Sequence, residues 1–473
     1  MNREYSERGT VFVKPLRSML IGCGLVIAAC APPASTAPAP KFPAAGIIRP
    51  SDTSPSLIVP PEPTGRAWLV HLIDSVISQP KFRSAEFGVL VVNPRSADTL
   101  FSHNAGKLFI PASNMKIITS AVALRQLGPE YKYRTTFAAR GTVRDSVLSG
   151  DLIVIGRGDP SVNDTLRGSA MSVMYGFADS LRAHGVKRIT GAIVSGGNAF
   201  PDSVHGESWG WDDLGEYYAA GTDELFFNDG MAPTFPKAGG GLDSLFSGPS
   251  PDPDRNYLNA LALGLTRRGF TIGGGVAPKS LDPVPAIDTL FVFQSLPLRD
   301  ILPAFLKPSQ NQFGELLMKT VGLERAGSGT ADSALRIFRQ QLLAWGAEPD
   351  GFVLRDGSGL SAHDLVTPET VVRVLATMEK DPDFKIYYDA MPIAGVDGTI
   401  RNRMKGTAAQ GNIHAKTGTL QHAISLSGYV TTADGARLIF SILCNNFTTR
   451  SSEVTAVGNA IGAALASYDS RSN

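Results

Sequence analysis

The apolar residues of this chain follow one kind of spacing at its two ends and another in its middle, which restricts the possible folds. Residues 68–77 have helical spacing. Residues 87–92 form a continuous apolar run that turns at Asn93-Pro94 into residues 99–102. The sequence therefore predicts a helix followed by an antiparallel hairpin near the start of the folded part.

Similar patterns occupy the end of the chain. Residues 422–430 and 436–444 flank Asp434-Gly435, which is a hairpin signal, and residues 452–467 suit a closing helix. Helical spacing also recurs at residues 298–306, 312–323, 331–345 and 368–380. Together the two ends predict an α/β (α+β) unit in which helices flank an antiparallel sheet.

The middle of the chain differs in texture. From residue 133 to about residue 286, short β-like runs such as 151–155 and 189–194 alternate with Gly, Pro and Asp turns. We expect a mostly β insertion that interrupts the α/β unit. The predicted boundaries are 66–135 for the first part of the unit, 136–286 for the insertion and 287–473 for the second part.

The N-terminus carries the pattern of a secretory signal. A basic start precedes residues 18–29, an uncharged run of twelve residues, and a bilayer span needs about 20. We expect a lipoprotein-type signal peptide at 1–29 with lipidation of Cys30, since Cys23 lies too close to the basic start. Secretion without a lipid is the alternative.

A proline-rich linker follows at residues 30–65, in which ten of the 35 residues from 31 to 65 are proline. Such a chain suits a spacer between an anchor and a folded body. The expected location is the periplasm, with membrane contact only through the lipid. Because Ala31 gives no acidic retention signal, the outer membrane is favoured over the inner.

Composition excludes several classes of protein. There are 44 Lys and Arg against 43 Asp and Glu, which gives a formal charge of +1 and no basic surface for nucleic acid. The three cysteines are Cys23, Cys30 and Cys444, too few for a disulfide scaffold, and the seven histidines lack metal-ligand spacing. We therefore predict no metal and no cofactor.

Three short motifs occur in order along the chain: Ser113-x-x-Lys116, Ser309-Gln310-Asn311 and Lys416-Thr417-Gly418. The first is expected to open a helix, the second to precede one and the third to precede a strand. On a helix, residues i and i+3 share a face, so Lys116 can reach the Ser113 hydroxyl. Taken alone, this motif is better explained by Ser113 as a helix cap and Lys116 as a solvated side chain of the first turn.

The motif trio is that of serine β-lactamases and penicillin-binding proteins. Further stretches extend the likeness: 109–116, Gly158-Asp159-Pro160-Ser161, 356–361, Asp397-Gly398-Thr399 and 415–420. Over residues 68–465 the chain resembles the low-molecular-mass class C penicillin-binding proteins, the D-alanyl-D-alanine carboxypeptidase/endopeptidase family S13. The resemblance implies a serine β-lactamase/DD-peptidase (transpeptidase-like) fold, and the family carries extra domains between the first two motifs.

The resemblance also implies roles for the residues of the first two motifs. Ser113 would be the acylated nucleophile and Lys116 its general base. Ser309 would relay a proton to the leaving group, and Asn311 would hydrogen-bond the substrate's amide. Gln310 departs from the Asp or Asn common in related enzymes, at a position that points away from the reaction.

The third motif would bind the substrate. Lys416 and Thr417, with Gly418 completing the motif, would hold the terminal carboxylate of the peptide. The backbone N–H groups of Ser113 and Thr419 would form the oxyanion hole. Neither Asp356 nor Asp397 receives a role from the sequence.

The function expected from these residues is that of an exported serine-type D-Ala-D-Ala carboxypeptidase/endopeptidase that acts on peptidoglycan stem peptides. β-Lactams imitate that substrate and should acylate it. Two alternatives stay open at this point: a serine β-lactamase or esterase, and a wall-binding lipoprotein without activity. The long insertion speaks against the first, and the complete set of motif residues speaks against the second.

Overall fold

The helices and strands of this computed structural model follow the predicted spacing at the two ends of the chain and depart from it in the middle. The structure describes residues 65–236, 242–244, 248–279 and 287–472. The predicted signal peptide, Cys30 and nearly all of the linker lie outside these residues. Within the described ranges, no helix is both long and apolar enough for a membrane span.

The described helices are α1 (Arg66–Ile77), α2 (Met115–Leu127), α3 (Asp164–Arg167), α4 (Ala170–Ala183), α5 (Pro253–Arg267), α6 (Leu298–Leu306), α7 (Asn311–Ala326), α8 (Ala331–Ala344), α9 (Pro368–Met378), α10 (Phe384–Ala390) and α11 (Ser451–Ser467). The described strands are β1 (Glu86–Asn93), β2 (Asp98–His103), β3 (Arg134–Arg144), β4 (Val147–Ile155), β5 (Arg188–Ile189), β6 (Ile193–Ser195), β7 (Thr234–Pro236), β8 (Leu242–Ser244), β9 (Thr271–Ile272), β10 (Asp288–Gln294), β11 (Phe352–Val353), β12 (Leu365–Val366), β13 (His414–Leu420), β14 (Ala423–Thr431) and β15 (Arg437–Asn445).

The two ends of the chain build one sheet of five strands in the order β13-β14-β15-β1-β2. Every neighbouring pair is antiparallel, and the register places Val89 opposite Ile442 and Leu426 opposite the same Ile442. The hairpin predicted at Asp434-Gly435 joins β14 to β15. Strand β13 lies at one edge of this sheet, where its first residues pair with residues 392–393: Ile393 bridges His414, and Ala415 N–H donates to Pro392 O.

Helices cover both faces of the five-stranded sheet, as the side-chain alternation of β15 requires. Ile442 belongs to a core with α1 and α11, which includes Ile73 and Ile461. The next residue, Leu443, belongs to the core on the opposite face, which includes Leu302. The predicted fold class, an antiparallel sheet flanked by helices, is thus confirmed.

A second sheet has the order β10-β3-β4-β5-β9, and β6 pairs with β4. Helices α4 and α5 pack against it through a separate core that includes Phe177 and Leu261. The sequence analysis did not predict these two helices, although Asp252 caps α5 by accepting from the Arg255 N–H and Pro253 follows the cap. The sheet also extends on both sides of the predicted insertion, because β3 begins at residue 134 and β10 ends at residue 294.

Packing of α6 should stabilise the part of the fold that leads to Ser309. Leu302 is 0% exposed there, so Leu302→Ala leaves a cavity. We expect the variant to lose about 2–5 kcal/mol of unfolding free energy in urea denaturation. The control Leu343→Ala removes a side chain that is 37% exposed and should lose less than about 1 kcal/mol. Equal losses in the two variants would contradict the described core.

Candidate active site

Ser113 lies in a single 3-10 turn, Ala112–Asn114, immediately before α2. The prediction that it opens the helix is therefore correct to within one turn. The turn is fixed by side chains around it: Asn114 Nδ2 donates to Lys416 O at 2.9 Å, and Ser425 Oγ donates to Pro111 O at 2.8 Å. Ala112 has a φ of 47°, which is a strained region for a residue other than glycine.

Two glycines allow other segments to approach this turn. A Cβ on Gly418 of β13 would lie 2.9 Å from Ser113 N and 2.5 Å from Pro111 O. Gly359 has a φ of 77°, and a Cβ there would collide with the backbone of Ala112. A side chain would not fit at either position. Because both residues are glycines, β13 and the 356–361 loop can pack directly against the turn that holds Ser113.

Lys116 is fully buried and faces three oxygen atoms. Its Nζ lies 2.9 Å from Ser113 Oγ, 2.6 Å from Asn311 Oδ1 and 2.7 Å from Ser358 O. The predicted reach from Lys116 to Ser113 is present. With all three acceptors formally neutral, the ammonium has no ion-pair partner in direct contact.

This environment makes Lys116 a candidate base. Burial lowers the pKa of Lys116 to about 7. Three carboxyls oppose the shift, those of Asp356, Glu315 and Asp364. Burial raises the pKa of both Glu315 and Asp364, so both carry less negative charge than exposed carboxylates would. A neutral amine at Lys116 is therefore accessible near neutral pH.

The second and third motifs meet on the other side of the serine. Lys416 is buried on β13, and its Nζ donates to Ser309 Oγ at 2.8 Å and to Thr417 O at 2.9 Å. Burial, and then the positive charge of Lys116, hold the pKa of Lys416 well below its usual range. Ser309 has a φ of 68° in the short link between α6 and α7. Asn311 follows as the first residue of α7.

The third motif precedes strand β14, as expected, and it also lies within a strand of its own that was not predicted. Lys416, Thr417, Gly418 and Thr419 all belong to β13. Thr417 is half-buried and Thr419 is exposed, so both side chains reach solvent. Because β13 is an edge strand, its free side can pair with an extended peptide.

The structure also brings in residues that the sequence analysis left without a role. Thr417 Oγ1 donates to Thr399 Oγ1 at 2.7 Å. The loop that carries Thr399 is held by Asp397, whose Oδ2 accepts from Lys307 Nζ at 2.6 Å. The Asp397-Gly398-Thr399 stretch was visible in the sequence, but only tertiary contact reveals that it supports Thr417.

Residues of the predicted insertion reach the same site. Trp209 Nε1 donates to Asp356 Oδ2 at 2.9 Å, and Asn311 Nδ2 donates to Tyr218 O at 2.9 Å. Nothing in the local sequence pattern indicates these contacts, since the partners lie about a hundred residues or more apart.

One group of carboxylates away from the motifs has the spacing of a metal site: Asp223, Glu224 and Asp254. Lys279 Nζ lies among them, 2.7 Å from Glu224 Oε1, 3.2 Å from Asp223 Oδ2 and 3.5 Å from Asp254 Oδ2. The lysine supplies the positive charge that this group needs, so the arrangement is explained as an ion-pair cluster.

Proteins similar to this chain are known, both by sequence and by fold. A D-alanyl-D-alanine carboxypeptidase from Actinomadura sp. (strain R39) is 31% identical over 464 residues, which cover 84% of each chain. The crystal structure of penicillin binding protein 4 (dacB) from Haemophilus influenzae superimposes with a TM-score of 0.73 at 21% identity, covering 84% of this chain and 99% of that one. A complex of that Haemophilus protein with a β-lactam gives a TM-score of 0.66 at 22% identity over the same shares.

At these identities the two structures show a common fold. The model of the D-Ala-D-Ala carboxypeptidase 3 (S13) family matches residues 69–243 and 235–468, nearly all of the described chain. Together with the 31% identical relative, this match establishes that the chain belongs to the D-Ala-D-Ala carboxypeptidase 3 family, peptidase family S13.

Proposed function

We propose that this chain is an exported serine-type D-Ala-D-Ala carboxypeptidase that acts on peptidoglycan stem peptides through an acyl-enzyme on Ser113. One observation carries the proposal: the Ser113 hydroxyl lies 2.9 Å from Lys116 Nζ, and burial brings the pKa of that lysine to about 7. Membership of the S13 family and the activity named for the Actinomadura relative support the same substrate class.

In the acylation step, Ser113 Oγ forms a bond to the carbonyl carbon of the penultimate D-Ala. Its proton passes to the neutral Lys116 amine. The negative charge that develops on the carbonyl oxygen is stabilised by the backbone N–H groups of Ser113 and Thr419 and by the positive end of α2.

Collapse of the tetrahedral intermediate breaks the peptide C–N bond. The leaving amine of the terminal D-Ala must gain a proton, and Ser309 Oγ relays it from the Lys116 side. Lys416, 2.8 Å from Ser309 Oγ, orients this hydroxyl. Water then attacks the acyl-enzyme and restores Ser113, with Lys116 as base again.

The substrate lies against the free edge of β13. Lys416 and Thr417 attract its terminal carboxylate, with the Thr417 hydroxyl held in turn by Thr399. Gly418 leaves the peptide close to Ser113 because a side chain there has no room. Asn311 faces the substrate's amide. A β-lactam offers a carbonyl and a carboxylate in the same arrangement and acylates Ser113.

The proposal predicts a stable covalent adduct. The body, residues 66–473, mixed with a β-lactam should gain the mass of the drug within minutes, and intact mass spectrometry followed from seconds to hours measures it. Ser113→Ala removes the nucleophile and should give no adduct. Ser120→Ala is a matched control, because this serine also lies on α2 and its hydroxyl donates to carbonyl oxygens of its own helix rather than to Lys116 Nζ.

Other outcomes would contradict the proposal in distinct ways. Rapid hydrolysis of the drug without a persistent adduct would assign the chain to the β-lactamases. An adduct that survives in Ser113→Ala would place the nucleophile elsewhere. Absence of any reaction in the wild type would contradict the proposed acylation of Ser113.

Export and anchoring are also proposed, with the basic start, the apolar run at 18–29 and Cys30 as support. The lipidated protein should fractionate with membranes at outer-membrane density on a sucrose gradient, and its mass should include the acyl chains on Cys30. Cys30→Ala should leave the membrane fraction, whereas Cys23→Ala should not. A wild-type protein without lipid, or loss of anchoring only in Cys23→Ala, would overturn this proposal.

A further inference from the structure

Residues 202–219, which come from the predicted insertion, support two of the three oxygen atoms that face Lys116. One is supported through its own side-chain amide and the other through Asp356. The first is Asn311 Oδ1, 2.6 Å from Lys116 Nζ. The amide of Asn311 has a second contact on its other side, where Nδ2 donates to Tyr218 O at 2.9 Å. The Tyr218 carbonyl thereby fixes which end of the amide faces the lysine.

The second oxygen is the carbonyl of Ser358, 2.7 Å from Lys116 Nζ. It lies in a loop that wraps around the Asp356 carboxylate. Asp356 Oδ1 accepts from the N–H groups of Ser358 and Gly359 at 3.1 and 2.5 Å, and Oδ2 accepts from the Ser361 N–H at 2.7 Å. The Ser358 hydroxyl also donates to Oδ2, at 3.2 Å.

Trp209 completes this set of donors. Its Nε1 lies 2.9 Å from Asp356 Oδ2, and the indole is 9% exposed in a small cluster with Ala219 and Leu360. The neighbouring Trp211 is 87% exposed. Only one of the two tryptophans is therefore placed to act on the site.

The segment is also fixed to α7 at its two ends. Lys319 Nζ lies 2.7 Å from Asp202 Oδ1 and donates to Ser203 O at 2.6 Å. Gln312 Nε2 donates to Tyr217 O at 2.7 Å. Since α7 carries Asn311, the segment and the second motif form one connected unit.

We infer that residues 202–219 hold the lysine base in its working position, with Trp209 as a positioning residue. The indole acts on Lys116 through Asp356 and the Ser358 carbonyl. This inference rests on the proposed function, in which Lys116 takes the proton of Ser113. The insertion thus supplies part of the support of the catalytic centre.

The direction of the effect follows from the charges near Lys116. The carboxyls of Asp356, Glu315 and Asp364 favour its protonated form, and burial opposes them. Removing the indole N–H takes away one hydrogen bond to the Asp356 carboxylate, so the negative charge of Asp356 acts more strongly on Lys116. Lys116 should then hold its proton to a higher pH.

The experiment measures the rate of acylation by a β-lactam from about pH 5 to about pH 9. In the wild type the rate should rise as Lys116 loses its proton. In Trp209→Phe the midpoint of this rise should move up by about 0.5 pH unit, so that acylation near pH 6 slows about threefold while the plateau changes less. Trp211→Phe, the matched control, should superimpose on the wild type.

The outcomes separate this inference from the proposed function. Absence of any adduct in the wild type refutes both, whereas an acylated wild type with an unmoved midpoint in Trp209→Phe refutes the inference alone. A move to lower pH refutes it too. If Trp209→Phe does not fold, benzothienylalanine at position 209 keeps the bicyclic ring without the N–H and should give the same upward shift.

Discussion

The Lys116 side chain is fully buried, and among the residues that the structure describes its amine bonds to the oxygen atoms of Ser113, Asn311 and Ser358. A buried ammonium loses its hydration, and formally neutral acceptors restore only part of that free energy. The pKa of Lys116 falls to about 7 for this reason. The three oxygens belong to three segments of the chain. The single amine of Lys116 therefore constrains how these segments lie relative to one another.

A second constraint comes from close backbone packing. Strand β13 and the 356–361 loop both approach the turn that holds Ser113, and each does so through a glycine, Gly418 and Gly359. The same strand carries Lys416, whose amine lies against Ser309. The serine, two lysines and the edge strand β13 are thus brought together by backbone contact as much as by side chains.

The sequence predicted the parts of the molecule that depend on local pattern. Helix α6 begins and ends at the residues expected, and the α2 turn, the β14–β15 hairpin and the α11 helix follow from spacing and turn signals. The motif residues were found because their order along the chain is itself a signal. Their roles came from a family resemblance.

Contacts between distant segments could not be predicted from the local sequence pattern. Trp209 reaches Asp356, and Thr399 reaches Thr417, only after the chain has folded. Helices α4 and α5 were not predicted because the Gly, Pro and Asp turn signals around them outweighed their own apolar spacing. The Asp252 cap does mark the start of α5 in the sequence. The placement of Lys416-Thr417-Gly418 within β13 also depends on pairing with β14.

The central claim is that burial makes Lys116 the base of the reaction, and its titration tests this most directly. Lysine labelled with ¹³C at Cε gives one NMR signal per side chain, and the signal absent from Lys116→Arg identifies Lys116. The account predicts a titration midpoint near the pKa of about 7. A midpoint near 10.5, the ordinary value for lysine, would contradict it.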